Sequence, residues 1–323
     1  MAQAGLNPAT RSGTHWAALG EHTFVGGIWL LYAVHRLFGR AAFRVLSAPV
    51  VLLHWCTRPA LRAASLDYLC RLHAARPGLF ARVPGWREGL RHVACFAETM
   101  LDKLLAMAGR YPAARINERG VADVDVDLRA GRGGIFVTAH MGCLELCRAF
   151  AREKSILKLT VLVHTKHAES FNRLLQRLDP QARVRLMEVS EFSPATAVQL
   201  QAIVAEGGWV AIAGDRVPIH SAQVAEVQFL GHTAPLPVGP YVLASLLRCP
   251  LVLLSCLHQG AGYQIRFERL AERVELPRGQ RAEALQRYAQ SYADAIAARL
   301  AESPYDWFNF YAFWERPDAP PTV

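Results

Sequence analysis

The chain has 323 residues, of which 52% are hydrophobic and 20% charged, and it carries a formal net charge of +9. That composition supplies a core with apolar surface to spare. So basic a surface suits nucleic acid or anionic lipid. With no zinc-finger spacing, no RNA-recognition signature and no basic run with interleaved aromatics, nucleic acid is excluded and a lipid or membrane partner is expected.

Residues 1–22 form a small, polar tail without the basic, apolar and small-residue order of a secretory signal. Residues 23–56 are mostly apolar, but His35, Arg36, Arg40 and Arg44 interrupt them, so the longest apolar run is too short to span a bilayer. Arg36, Arg40 and Arg44 recur every four residues and fall on one helical face. With Pro49 as a bend, the segment is predicted to be an interfacial helical hairpin whose arginines reach lipid headgroups. The alternative is a helix packed on the domain. Residues 57–323 read as one α/β domain, since no Gly/Ser-rich or charged linker divides them.

Within that domain, leucines and aromatics at helical spacing fill residues 60–112. Strands are predicted at 135–139, 157–163, 184–189, 209–213, 251–257 and 263–267, and helices at 169–178, 195–205, 238–247 and 281–300. Such alternation argues for a largely parallel sheet covered by helices on both faces. Ligands in such folds bind outside the carboxyl ends of the strands.

At one such end stands GGIFVTAHMGCLELC, residues 133–147. His140 closes an apolar run and Glu145 follows five residues later. In a continuous helix that spacing leaves two side chains about 140° apart. They meet only across a bend, which Gly142 permits. An ionised Glu145 is expected to accept the imidazole N–H, fix the tautomer and leave the other ring nitrogen free to take a proton from a hydroxyl. The other reading is a capped histidine at a strand end. Asp215 and Arg216, after the apolar strand at 209–213, fall at the same edge. Arg216 is expected to fork onto an anionic part of a substrate, or else to form a structural pair with Asp215. Lys166 and Asn172, after the strand at 157–163, are candidates for binding a phosphate, against a plain helix start.

The segments VTAHMGCLEL, IAGDRVPI, VQFLGHTAPLPVGPYVLASLLRCPLVLL and PYDWFNFYAFW resemble, in this order, the bacterial late lipid A acyltransferases of the lysophospholipid and glycerolipid acyltransferase superfamily. The resemblance implies that His140 and Glu145 match the catalytic His-x4-acid motif. It implies direct attack of an acceptor hydroxyl on an acyl thioester, carried by acyl carrier protein or coenzyme A, without a covalent acyl-enzyme and with no cofactor. It further implies attachment to the cytoplasmic face of the inner membrane. Gly231, Ala234, Pro235 and Gly239 match the family's Phe-x-Gly turn and the loop after it, a structural rim of the substrate site. Gly-Asp-Arg at 214–216 departs from the Asp-Gln of many lipid A enzymes. That variant and HTKHAESFN at 164–172 look more like acyltransferases of polyketide or aryl polyene clusters.

The seven cysteines are scattered through apolar contexts and read as reduced core residues, with no pair of pairs to hold a metal. Cys143 as an acyl-carrying nucleophile is not needed beside a His–Glu base. The aromatic block at 307–314 reads as a packing plug. Three functions follow: a membrane-associated acyltransferase, a hydrolase using the same pair with water, and a non-catalytic lipid-binding protein. No phosphate-binding loop and no Gly-x-Ser-x-Gly elbow appears.

Overall fold

The computed structural model describes residues 25–147, 157–163, 184–188, 194–217 and 223–315. Three helices come first: α1 (Val25–Thr57), α2 (Pro59–Ala75) and α3 (Trp86–Met107). The sheet is built from β1 (Ile116–Arg119), β2 (Gly134–Thr138), β3 (Leu159–Val163), β4 (Val184–Glu188), β5 (Trp209–Ala213), β8 (Leu251–Gln259) and β9 (Gly262–Ala271). Between β5 and β8 lie a hairpin, β6 (Val224–Phe229) and β7 (His232–Pro237), and a helix. The remaining helices are α4 (Val121–Arg129), α5 (Pro194–Ala205), α6 (Gly239–Leu247) and α7 (Arg281–Glu302).

The seven strands run in the order β1-β9-β8-β2-β5-β3-β4. From β8 to β4 every neighbour is parallel, and only β9 reverses against β8. The largely parallel sheet expected from the alternation is therefore present. Its side chains alternate between two cores. Ile135, Val137, Leu251 and Leu253 face α2, α5, α6 and α7 through Leu69, Leu200, Leu243 and Ile296. Phe136, Val252, Leu254 and Cys256 face the other way, onto α4 through Val124 and Leu128. Central strands β2 and β8 read as unbroken apolar runs because both faces are covered.

The N-terminal region departs from the expected hairpin. Pro49 lies inside α1, and the non-helical residue is Gly39, at φ 79°. The helix ends instead at Arg58, with Pro59 opening α2 where its missing N–H costs nothing. Phe43, Ser47, Val51 and Trp55, spaced by four, form the buried stripe of α1. Trp55 lies over Gly89 of α3, where a Cβ would stand 2.3 Å from the indole.

Two of the three arginines of the stripe, Arg40 and Arg44, meet carboxylates of α3, while Arg36 is exposed. Arg44 forks onto both oxygens of Glu98 at 2.9 and 2.8 Å, and Arg40 pairs with Asp102 of α3. Carboxylates on α3 are the nearer and better-oriented partners for these guanidinium groups. Much of what α1 turns outward is apolar, with Leu37, Phe38, Val45, Leu46, Val50, Leu52 and Leu53 exposed beside Arg36 and His54.

Candidate active site

His140 stands two residues beyond the end of β2. Gly142 follows at φ 56°, where an added Cβ would lie 1.9 Å from the Cys256 carbonyl oxygen, so this bend admits only glycine. The loop is fastened to its surroundings by the backbone. Gly142 N–H donates to Asp306 O and Cys143 N–H to Cys256 O, both at 2.8 Å, while His140 O accepts from Phe308 N–H at 2.8 Å.

The carboxylate that orients His140 is Asp215. Its Oδ1 accepts His140 Nδ1–H at 2.8 Å, and its Oδ2 accepts the His140 backbone N–H at 2.8 Å. The same Oδ2 accepts Asn309 Nδ2–H at 2.8 Å. Asp215 is fully buried, and burial alone would push its carboxyl up. The His140 imidazole and backbone N–H, with the Arg216 guanidinium, outweigh burial and hold it down at about 2. An ionised carboxylate can only accept, so Nδ1 carries the proton and Nε2 carries the lone pair. The His140 side chain is 36% exposed, which leaves room for a substrate hydroxyl.

Glu145, the partner expected from spacing, lies elsewhere. It sits in a short 3₁₀ turn, Leu144–Leu146, and pairs with Lys103 of α3 at 3.2 Å. The bend at Gly142 does turn the chain, but it points Glu145 at α3 and leaves the imidazole to a residue 75 positions away. Burial works against the Lys103 ammonium, yet Glu145 beside it dominates and raises its pKa. Cys143 is buried, and burial together with Glu145 holds its thiol far above the usual value, so it supplies no thiolate nucleophile.

Arg216 does lie at this edge. Its Nε–H donates to Asn309 Oδ1 at 2.8 Å and a terminal nitrogen donates to Phe308 O at 3.3 Å. Asn309 thus bridges the two neighbours, donating to Asp215 and accepting from Arg216. Gly231 occupies the turn between β6 and β7, where Leu230 (φ 51°) and Gly231 (φ 80°) are both left-handed, as a two-residue hairpin turn of this hand requires. Lys166 and Asn172, with the helix expected at 169–178, lie outside the described residues.

The aromatic block does pack, since Trp307 is fully buried against Tyr68, Phe229 and Phe313. It is also part of the site, because Asp306, Phe308 and Asn309 bind the His140 loop and Asp215. Sequence reasoning missed Asn309 and Lys103. Two polar residues inside an aromatic run, Asp306 and Asn309, were the available signal, since a buried polar group must find partners.

The sequence model of one protein family, described as bacterial lipid A biosynthesis acyltransferase, matches residues 88–316. Among curated proteins, none matches the chain.

Proposed function

We propose how this chain, which belongs to the bacterial lipid A biosynthesis acyltransferase family, performs its transfer. As a member it is an enzyme that acylates lipid. In our reading the donor is an acyl thioester on acyl carrier protein or coenzyme A, and the acceptor is a hydroxyl of a lipid or other amphipathic molecule. His140 Nε2 takes the hydroxyl proton as the oxygen attacks the thioester carbonyl. The C–O bond forms, the C–S bond breaks, and the thiol leaves with a proton. Asp215 holds the ring in the tautomer that makes Nε2 a base and stabilises the imidazolium once it forms.

The observation that carries this reading is the double clamp of Asp215 on the His140 ring and backbone, with Nε2 turned to the exposed side. Glu145 and Lys103, with Arg216 nearby, form a charged group beside the base that suits an anionic headgroup or a phosphopantetheine phosphate. Glu145 would then act through Lys103 and not through the imidazole.

The outward apolar face of α1 supports attachment to the membrane, on its cytoplasmic side, where the thioester donors are. Residues Tyr32–Thr57 are long and apolar enough to cross a bilayer by length and composition. The Arg40 and Arg44 pairs tie this helix to α3 and so bring the site to the lipid surface.

The test is the product formed from a radiolabelled acyl thioester in the presence of lipid acceptor. Acylated lipid is expected. Label recovered only as free fatty acid would identify a hydrolase, and no turnover of any thioester would favour a binding protein.

A further inference from the structure

The geometry of Asp215 on His140 occurs a second time. At the end of β8, Asp306 Oδ1 accepts His258 Nδ1–H at 2.6 Å and Asp306 Oδ2 accepts the His258 backbone N–H at 2.6 Å. One carboxylate again clamps both the ring and the backbone of one histidine. Asp306 is fully buried and takes a further hydrogen bond from Ser303 Oγ at 2.7 Å. The His258 side chain is 27% exposed. Nδ1 faces Asp306, so Nε2 is the atom left to act, and among the described residues it makes no hydrogen bond.

The two clamps stand side by side. β2 and β8 are parallel neighbours with Phe136 opposite Val252. Continuing the alternation from that pair puts His140 and His258 on the same face of the sheet. A short strap joins them: Asp306 O accepts from Gly142 N–H and Phe308 N–H donates to His140 O. The Asp306 carboxylate on the same strap holds His258, so one residue touches both units.

Cys95 of α3 does not make this a nucleophilic triad. Its Sγ lies 3.5 Å from Asp306 and 3.8 Å from His258 Nδ1, on the carboxylate side of the ring. A nucleophile would have to face Nε2. Burial and Asp306 also hold this thiol far above its usual value.

We propose that His258, oriented by Asp306, is the proton donor to the leaving thiol, while His140 is the base toward the acceptor hydroxyl. This rests on the acyl-transfer reading above. In one turnover His140 gains the hydroxyl proton, the C–O bond forms and the C–S bond breaks. The sulfur departs with its electron pair and receives the Nε2 proton of His258, which enters the turnover as the imidazolium, with Nδ1–H on Asp306, and leaves it neutral. Exchange with water then returns both rings to their starting states. The titratable groups around His258 are Asp306 on the strap, Cys95 on α3 and Tyr263 on β9, whose ring lies 4.1 Å away, with Asp102 behind it on the Tyr263 hydroxyl.

The experiment compares an alkyl thioester donor with an aryl thioester whose thiolate leaves without help. His258→Gln should slow the alkyl donor by about 10² to 10⁴, and the aryl donor should shrink that loss to a few-fold. His140→Ala should be slow with both. Equal loss on both donors in a folded His258→Gln protein, or no loss on either, would overturn the proposal. The wild-type pH profile gives an answer that needs no variant. The alkyl donor should lose rate on both the acid and the alkaline side, and the aryl donor on the acid side alone. Matching profiles for the two donors would overturn it. Wild-type enzyme that transferred from neither donor would remove the acyl-transfer reading itself.

Discussion

Replacing Asp215 by asparagine separates the partner seen in the fold from the partner suggested by spacing. Asp215 Oδ2 accepts two N–H groups, from the His140 backbone and from Asn309, while Oδ1 accepts one from the ring. An asparagine has a single acceptor oxygen, and two buried donors draw it to the Oδ2 position. Its NH₂ then faces His140 Nδ1, which must give up its proton and accept. The ring proton moves to Nε2, the lone pair on the exposed side is lost, and the base is disabled with the fold in place. The same tautomer error in a serine-protease triad lowers turnover about 10⁴-fold, or roughly 5.5 kcal/mol of barrier. Glu145→Gln should cost much less, since it breaks the pair with Lys103 and leaves the Asp215 clamp on the ring intact. The assay is turnover of an acyl-carrier thioester by purified protein, with the melting transition as the control for folding. Asp215→Asn within tenfold of wild type, or Glu145→Gln the more damaging change at equal stability, would refute the assignment.

Gly142→Ala should both destabilise and inactivate the enzyme, because the Cβ would meet the Cys256 carbonyl of a central strand and the left-handed backbone adds about 1–3 kcal/mol of strain. An unchanged melting temperature and rate would contradict it. Replacing Leu37, Phe38 and Leu53 of α1 by serine should release the protein from vesicles while leaving it folded, since each exposed side chain forfeits roughly 1.5–3 kcal/mol of apolar transfer. Sedimentation with liposomes decides this, and retention of the triple variant would show that α1 is not the attachment. His92 is buried between Ser65 and the Trp307 carbonyl, and burial pulls its pKa down to about 4. Its folded pKa is depressed below the unfolded 6.5, so its full contribution holds above pH 6.5 and is lost as pH falls toward 4, about 3 kcal/mol in all. Denaturant titrations of wild type and His92→Gln should converge at low pH, and parallel curves from pH 7 to 4 would exclude His92 as the cause.

Much of the fold was legible because its signals are local. The apolar runs at 135–139, 209–213 and 251–257 are strands buried on both faces, and the helices between them keep their period. The hairpin of β6 and β7 was not, since Pro235 and Pro237 argue against a strand and the turn is Leu-Gly in place of Asn-Gly. β1 escaped because INER is short and polar. His140 and Asp215 were both placed at the same sheet edge from sequence. Their contact was not foreseen, because pairing across β2 and β5 brings together residues 75 positions apart and leaves no spacing to read. Glu145 drew attention for the opposite reason, being near in sequence. The partners of Arg40 and Arg44 in α1 were not foreseen because periodicity gives a face, not what the face meets. Here it meets Glu98 and Asp102.

The rate of acyl transfer by purified His140→Ala, from an acyl-carrier thioester to lipid acceptor in vesicles, bears most directly on the role of this histidine as the base. Transfer should fall about 10² to 10⁴-fold, with vesicle binding and the melting transition unchanged. Near-normal turnover by the folded variant would contradict the account.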